Sequence, residues 1–152
     1  MMNEQKISPF DQALSILSHR EHSTKELVTK LKNKGHSEDD IDATIERLEE
    51  INYLNDERFA EMFVRSRLSK PLGASRIHQE LIQKGINSEL AKTAIADADA
   101  DWFELAKQLK ERKFGEESTT DFKEKAKQTR YLLYRGFDFE QIKYALSVQD
   151  DN

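Results

Sequence analysis

The chain has 152 residues and a net charge of −5 at pH 7, and its residues are 35% charged and 37% hydrophobic. It contains no cysteine, which excludes disulfides and thiolate metal sites, and its apolar residues are spread too widely for a wholly disordered chain. Few glycines and prolines interrupt a composition rich in helix formers, which predicts an all-α protein. No apolar run resembles a signal peptide or a membrane span, so we expect a soluble cytoplasmic protein.

The first fifty residues predict three short helices. Ser8–Pro9 opens the first one, because proline is favoured at the first helical position. Ser23–Glu26 has the spacing of a capping box and starts the second helix. Tyr53–Leu54 follows the third helix, and we expect these two residues to fix the first group of helices against the next.

The second group of helices begins near Asn55–Asp56, where either residue can cap a helix. Phe59 and Phe63 lie four residues apart on this helix and therefore share a face. Pro71–Gly73 ends it, because proline and glycine interrupt helices.

The third group begins with an apolar stripe from Trp102 to Leu109. The loop FGEESTTDF follows, and Ser118 within it is a plausible N-cap for the next helix. The apolar residues expected on that helix are Phe122, Ala126, Leu132 and Leu133.

Three segments of the chain share one pattern: LKNKGHSEDDIDATI, LIQKGINSELAKTAI and LLYRGFDFEQIKYAL. In each, a helix ends at a base followed by glycine, and an N-cap residue two positions later starts the next helix. The glycines are Gly35, Gly85 and Gly136, and the caps are Ser37, Asn87 and Asp138. A repeat at this spacing predicts three tandem three-helix modules, residues 1–55, 56–98 and 99–152, packed into an elongated, curved, solenoid-like body.

Positive charge is concentrated in two zones of this acidic chain. Residues 57–84 hold six bases and three acids, and residues 105–135 hold nine bases and five acids. Both zones are candidate surfaces for a polyanionic partner, although a solvated helical face is the alternative interpretation. Arg76 and Glu80, four residues apart, are suited to an intrahelical ion pair. The candidate contact residues are Arg58, Arg65, Arg67, Lys70, Arg76, Lys84, Lys123, Lys127 and Arg130.

The sequence offers little for catalysis. It has no glycine-rich phosphate loop, and His19 and His22 flank a predicted helix end, where we expect both to be solvated. Most aromatic residues fall at helical spacing and are expected in the module cores, while Tyr134 and Tyr144 could instead lie on a surface and stack on bases. We therefore expect a non-enzymatic protein without cofactor or metal.

The segment YLNDERFAEMFVRSRLSKPLGASRIHQELIQKGI, Tyr53–Ile86, resembles the central signature of the bacterial regulatory RecX family. The resemblance implies a regulator, without enzymatic activity, of the RecA recombinase. It would bind the RecA filament on single-stranded DNA and inhibit filament growth, ATPase, strand-exchange and co-protease activities; duplex DNA is a further candidate partner. It would thereby modulate recombination and the SOS response, acting as a monomer.

Two other interpretations remain open. Three short helices with a tight turn also describe tandem helix-turn-helix modules of a transcription regulator. In that case the third helix of each module would enter the major groove, yet those helices are acidic or neutral. A structural scaffold without a charged partner is the other alternative.

Overall fold

The computed structural model describes residues 7–147, which form nine α-helices and no strand within that range. Module 1 contains α1 (Pro9–His19), α2 (Thr24–Asn33) and α3 (Glu38–Glu50). Module 2 contains α4 (Asp56–Leu68), α5 (Ala74–Gln83) and α6 (Ser88–Asp97). Module 3 contains α7 (Trp102–Phe114), α8 (Phe122–Tyr134) and α9 (Phe139–Leu146). No helix in this part of the chain is both long and apolar enough to span a membrane.

Local sequence signals fix the ends of most helices. Ser8 accepts a hydrogen bond from the Asp11 N–H, and Ser23 forms a capping box with Glu26. Asn55 caps α4, as predicted. The N-cap of α8 is Asp121, so the prediction of Ser118 is wrong. The helix begins at Phe122, three residues later than a cap at Ser118 would place it.

The predicted glycine turns are confirmed in all three modules. The glycines after α2, α5 and α8 have φ angles of 89°, 86° and 99°, a conformation that side chains with Cβ rarely adopt. At each turn the two N–H groups that follow the helix bond back to its last carbonyls, as His36 does to Leu31. The turn reverses the chain, so the second and third helices of a module pack together.

Each module has its own apolar core, and substantial helix–helix packing lies within a module. Leu27, Leu31 and Leu48 are fully buried in module 1, and Phe59 and Ile77 in module 2. Three such cores in a row give an elongated all-α fold, which confirms the predicted fold class. The module boundaries at residues 55 and 99 stay predictions.

The first junction, between modules 1 and 2, is made of polar contacts around the N-terminus of α2. The Thr24 N–H donates to Asp56 at 2.7 Å, and Lys25 Nζ donates to the Gln83 carbonyl at 3.1 Å. Glu26 accepts from Lys84 Nζ at 3.2 Å. The apolar clusters of modules 1 and 2 share no residue within the described part of the chain.

The second junction, between modules 2 and 3, is made of backbone contacts around the N-terminus of α5. The Gly73 N–H donates to the Arg135 carbonyl at 2.7 Å. A Cβ on Gly73 would lie 2.4 Å from the Gly136 carbonyl carbon, so only glycine allows this approach. Trp102 packs against the cores of both modules. The turn of module 3 therefore caps a helix of module 2.

Some predicted packing roles differ in the structure. Leu54 is buried in the core of module 1 and the Tyr53 side chain is exposed, so neither side chain fixes the modules together; the Tyr53 backbone carbonyl does so by accepting from Arg58. Phe122 is 83% exposed because it is the first residue of α8, and the buried residues of that helix begin only at Gln128. Leu133 is also exposed, whereas Gln128, which was not expected in the core, is buried.

Candidate functional site

The nine candidate cations fall into three groups that differ in how they are bonded. Three form ion pairs with acids of the same chain, and Arg76 lies over an aromatic ring. The other five are exposed and make no side-chain hydrogen bond or ion pair within residues 7–147. The ion-paired cations are Arg58, Arg67 and Lys84. The five, which we call the free cations, are Arg65, Lys70, Lys123, Lys127 and Arg130.

Arg58 connects the first two modules. Its guanidinium forms an ion pair with Glu21 and donates to the carbonyls of Asn52 and Tyr53, each at 3.0 Å. These acceptors belong to the α1–α2 turn and to the α3–α4 loop, so one side chain of α4 holds both segments. This arrangement gives Arg58 a structural role at the first junction.

Arg65 and Arg67 point in different directions, as expected for residues two apart on a helix. Arg67 Nε donates to Glu80 at 2.9 Å, and its guanidinium lies 4.5 Å from the Phe63 ring centroid. Glu80 therefore pairs with Arg67 of α4, and the expected intrahelical pair with Arg76 is absent from the described contacts. Arg65, in contrast, is exposed to solvent.

Lys84 belongs to an ionic cluster centred on Glu26. Arg20 donates to both carboxylate oxygens of Glu26, at 3.2 and 3.1 Å, and Lys84 and the Ser23 N–H also donate to them. Burial by itself raises the pKa of Glu26, but the hydrogen bonds from Arg20, Ser23 and Lys84 outweigh it and lower this pKa to about 2. Glu26 is therefore charged at neutral pH and holds Lys84 across the first junction.

Three free cations and one aromatic ring share a face of α8. Lys123, Lys127, Arg130 and Tyr134 recur at the spacing of one helical face, and all four are exposed. Tyr134 is 71% exposed, and the Arg76 guanidinium lies 5.3 Å from its ring centroid. This set, which we call the α8 stripe, therefore links the basic zone of module 3 to Arg76 of module 2. Cations in such a row can contact phosphates, and the exposed ring beside them can stack on a base.

The sequence did not reveal two buried polar residues. Lys110 is only 2% exposed, and its Nζ donates to the carbonyls of Gly115 and Glu117, so it orders the α7–α8 loop. His22 is also buried, and the prediction that it is solvated is wrong. Its Nδ1 lies 2.9 Å from the Arg20 carbonyl and its Nε2 lies 2.8 Å from Lys30 Nζ; burial lowers its pKa. Lys110 directly follows Leu109, the last residue of the apolar stripe of α7, and this position was the one sequence signal for its burial.

The fold and surface together define a class of protein: an all-α repeat of three-helix modules with cations exposed on the outer faces of modules 2 and 3. Comparisons with known proteins identify the family. Models of the RecX first, second and third three-helix domains match residues 10–48, 55–95 and 99–146.

Curated relatives and a solved structure agree with these matches. The regulatory protein RecX of Vibrio parahaemolyticus is 45% identical over 146 residues, covering 96% of this chain and 94% of that one. The regulatory protein RecX of Chromohalobacter salexigens is 39% identical and covers 99% of both chains. The crystal structure of RecX from Lactobacillus salivarius superposes with a TM-score of 0.77 at 26% identity, over 90% of this chain and 91% of that one. The chain belongs to the RecX family, which confirms the resemblance seen in Tyr53–Ile86.

Proposed function

We propose that this protein is a regulator of the RecA recombinase that binds the RecA filament on single-stranded DNA and inhibits its growth and activities. The observation that carries the proposal is membership of the RecX family along three consecutive domains. The relatives that share up to 45% of the sequence are named regulatory proteins. Regulation of this kind requires binding and does not require a reaction at the surface of the regulator.

The free cations support contact with a polyanion. Within residues 7–147 their donors bond to no other side chain or carbonyl, so binding an anion does not first require an ion pair in that range to be broken. Arg58, Arg67 and Lys84 already pair with acids of the same chain, so replacing those acids by phosphates would cost free energy. We therefore assign the contact with the DNA of the filament to the free cations, with Arg76 and Tyr134 beside them.

The elongated shape supports a mechanism. A row of three modules can contact more than one subunit of a helical filament at once, and contacts to several sites add in avidity. A regulator that binds one filament state better than another shifts the filament towards that state. Inhibition of growth, ATPase, strand exchange and co-protease activity would all follow from that shift.

Duplex reading by tandem helix-turn-helix modules has less support. The first turn of α3 carries Glu38, Asp39 and Asp40, all exposed. A helix with this charge is repelled by the phosphates that border a major groove. Transcriptional regulation of specific promoters is therefore not proposed.

A filament ATPase assay tests the proposal. Added in equimolar amount to RecA on single-stranded DNA at low salt, the protein is expected to reduce ATP hydrolysis. The double variant Lys123→Ala, Lys127→Ala should inhibit less, whereas the matched control Lys32→Ala, Lys34→Ala, which removes two exposed lysines of module 1, should inhibit as the wild type does. Undiminished ATPase activity with the wild type would contradict the proposal.

A further inference from the structure

A groove of about 350 Å³ runs along the first junction. Its floor is apolar and comes from α4, and its rim is charged and comes from both modules. The floor residues are Phe59, Met62 and Phe63. The rim residues are Arg20, Glu26, Ser66, Arg67 and Lys84. A volume of this size lies within the range of natural ligand sites.

The cations on the rim retain donors that the fold does not use. Arg67 donates from Nε to Glu80, and within residues 7–147 nothing bonds to its two terminal nitrogens. Among the described residues, Lys84 Nζ has a single partner, Glu26. A guanidinium with both terminal nitrogens available can bind a carboxylate, and the ammonium of Lys84 has two more N–H groups.

We propose that this groove binds an acidic peptide segment of a protein partner, with an apolar side chain of that segment against the floor and its carboxylates on Arg67 and Lys84. The charge of the region supports this choice, because residues 57–84 hold six bases and three acids in a chain of net charge −5. Met62, which is partly exposed in the floor, is a flexible side chain that adapts to different apolar partners.

The arrangement favours a peptide over a nucleic acid. A phosphate backbone carries closely spaced charges along its whole length and binds best to an open row of cations such as the α8 stripe. In the groove, by contrast, Glu26 lies on the rim among the cations, Arg67 is paired with Glu80, and the floor is apolar. A peptide in which separate carboxylates flank one apolar side chain matches this arrangement of charged rim and apolar floor.

This inference extends the proposed function, because the recombinase would supply the peptide, but peptide binding is measured without RecA. A negative result for peptide binding by the groove can therefore be distinguished from a negative result for RecA regulation. The probe is the pentapeptide Glu-Asp-Phe-Asp-Glu, acetylated and fluorescently labelled, and its binding to the full chain is followed by fluorescence anisotropy at low salt.

Two serines, one within α4 and one at its C-cap, give a matched pair of variants. Ser66 and Ser69 are both exposed, and each hydroxyl donates at 2.7 Å to the carbonyl three residues earlier, but only Ser66 lines the groove. Ser66→Glu places a carboxylate on the rim and should weaken peptide binding by about tenfold or more, because like charges then meet. Ser69→Glu adds the same charge one turn away and should change it less than about twofold. Circular dichroism verifies that both variants are folded.

Peptide variants separate the two parts of the recognition. Replacement of the central phenylalanine by alanine removes the apolar contact, and replacement of the acids by their amides removes the charge; both should weaken binding. The inference is overturned if the pentapeptide fails to bind at millimolar concentration, or if Ser66→Glu and Ser69→Glu bind it equally. It is also overturned if a ten-nucleotide oligothymidine binds and Ser66→Glu, but not Ser69→Glu, weakens that binding, since the groove would then belong to nucleic acid.

Discussion

The two junctions between modules place similar elements together but hold them by different means. In each, the glycine turn of one module lies against the start of the second helix in the module before it: Gly85 against Lys25, and Gly136 against Arg76. Side-chain charges and polar groups connect modules 1 and 2, whereas backbone hydrogen bonds and the shared Trp102 connect modules 2 and 3.

The two junctions should respond differently to solution conditions and to mutation. Ion pairs depend on pH and salt, and their long side chains can move, although the first junction also has a close glycine contact, since a Cβ on Gly85 would lie 2.6 Å from Lys25 Cβ. A glycine-on-backbone contact is insensitive to both conditions but tolerates no additional atom, because the backbone cannot move away. We therefore expect module 1 to be the more easily released module and modules 2 and 3 to behave as one unit.

The largest effect is expected from a change that tests the backbone contact. Gly136→Ala and Gly35→Ala both place a Cβ at a turn with positive φ, and both incur the same backbone strain. At Gly136 that Cβ would also lie 2.4 Å from Arg76 Cβ, whereas nothing lies within 4 Å of it at Gly35. Gly136→Ala should therefore lower the free energy of unfolding by about 1–3 kcal/mol more than Gly35→Ala does. Urea denaturation of both variants measures the difference, and equal losses would show that the second junction is loosely packed.

The next effect concerns the principal arginine of the first junction. Arg58→Ala removes the ion pair with Glu21 and the bonds to Asn52 and Tyr53, and should lower the free energy of unfolding by about 1.5–3 kcal/mol. Arg65→Ala, on the same helix, removes an exposed side chain and should change it by less than about 0.5 kcal/mol. Denaturation measures both stabilities. If both variants lost similar free energy of unfolding, the assignment of a structural role to Arg58 and not to Arg65 would be wrong.

A smaller effect should appear as a pH dependence of the first junction. Folding lowers the pKa of Glu26 from 4.5 to about 2, so its ionic contribution to stability is complete above pH 4.5 and is lost as the pH falls towards 2. Glu26→Gln should therefore be less stable than the wild type at pH 7, and the gap should narrow through that pH window. Thermal unfolding at several pH values measures it. A gap that stays constant down to pH 2 would mean that the charge of Glu26 does not stabilise the junction.

The sequence predicted the parts of the fold that depend on neighbouring residues. The capping box of Ser23, the cap of Asn55 and the three glycine turns are confirmed, because each is encoded within a few positions. The all-α class followed from a composition rich in helix formers, and the family resemblance rested on one continuous segment. Phe122 was misassigned because periodicity does not show where a helix extends beyond the core.

The parts that the sequence could not predict depend on residues far apart in the chain. Glu26 and Lys84 are 58 residues apart, and no local pattern indicates that they meet. Positive charge density located two basic zones, but it could not separate the bonded Arg67 from the exposed Arg65, since that depends on which acid the fold brings near. The α8 stripe became visible once the bounds of α8 were known.

The central claim is that exposed cations of an elongated RecX-family protein bind the RecA–DNA filament. Pull-down with RecA, with and without single-stranded DNA, across a salt series tests it most directly. We expect capture that depends on the filament and weakens as salt rises, with a logarithmic slope that decreases by about 2 when Lys123, Lys127 and Arg130 are changed to alanine. Capture that is independent of salt, or a triple variant that behaves as the wild type does, would contradict the claim.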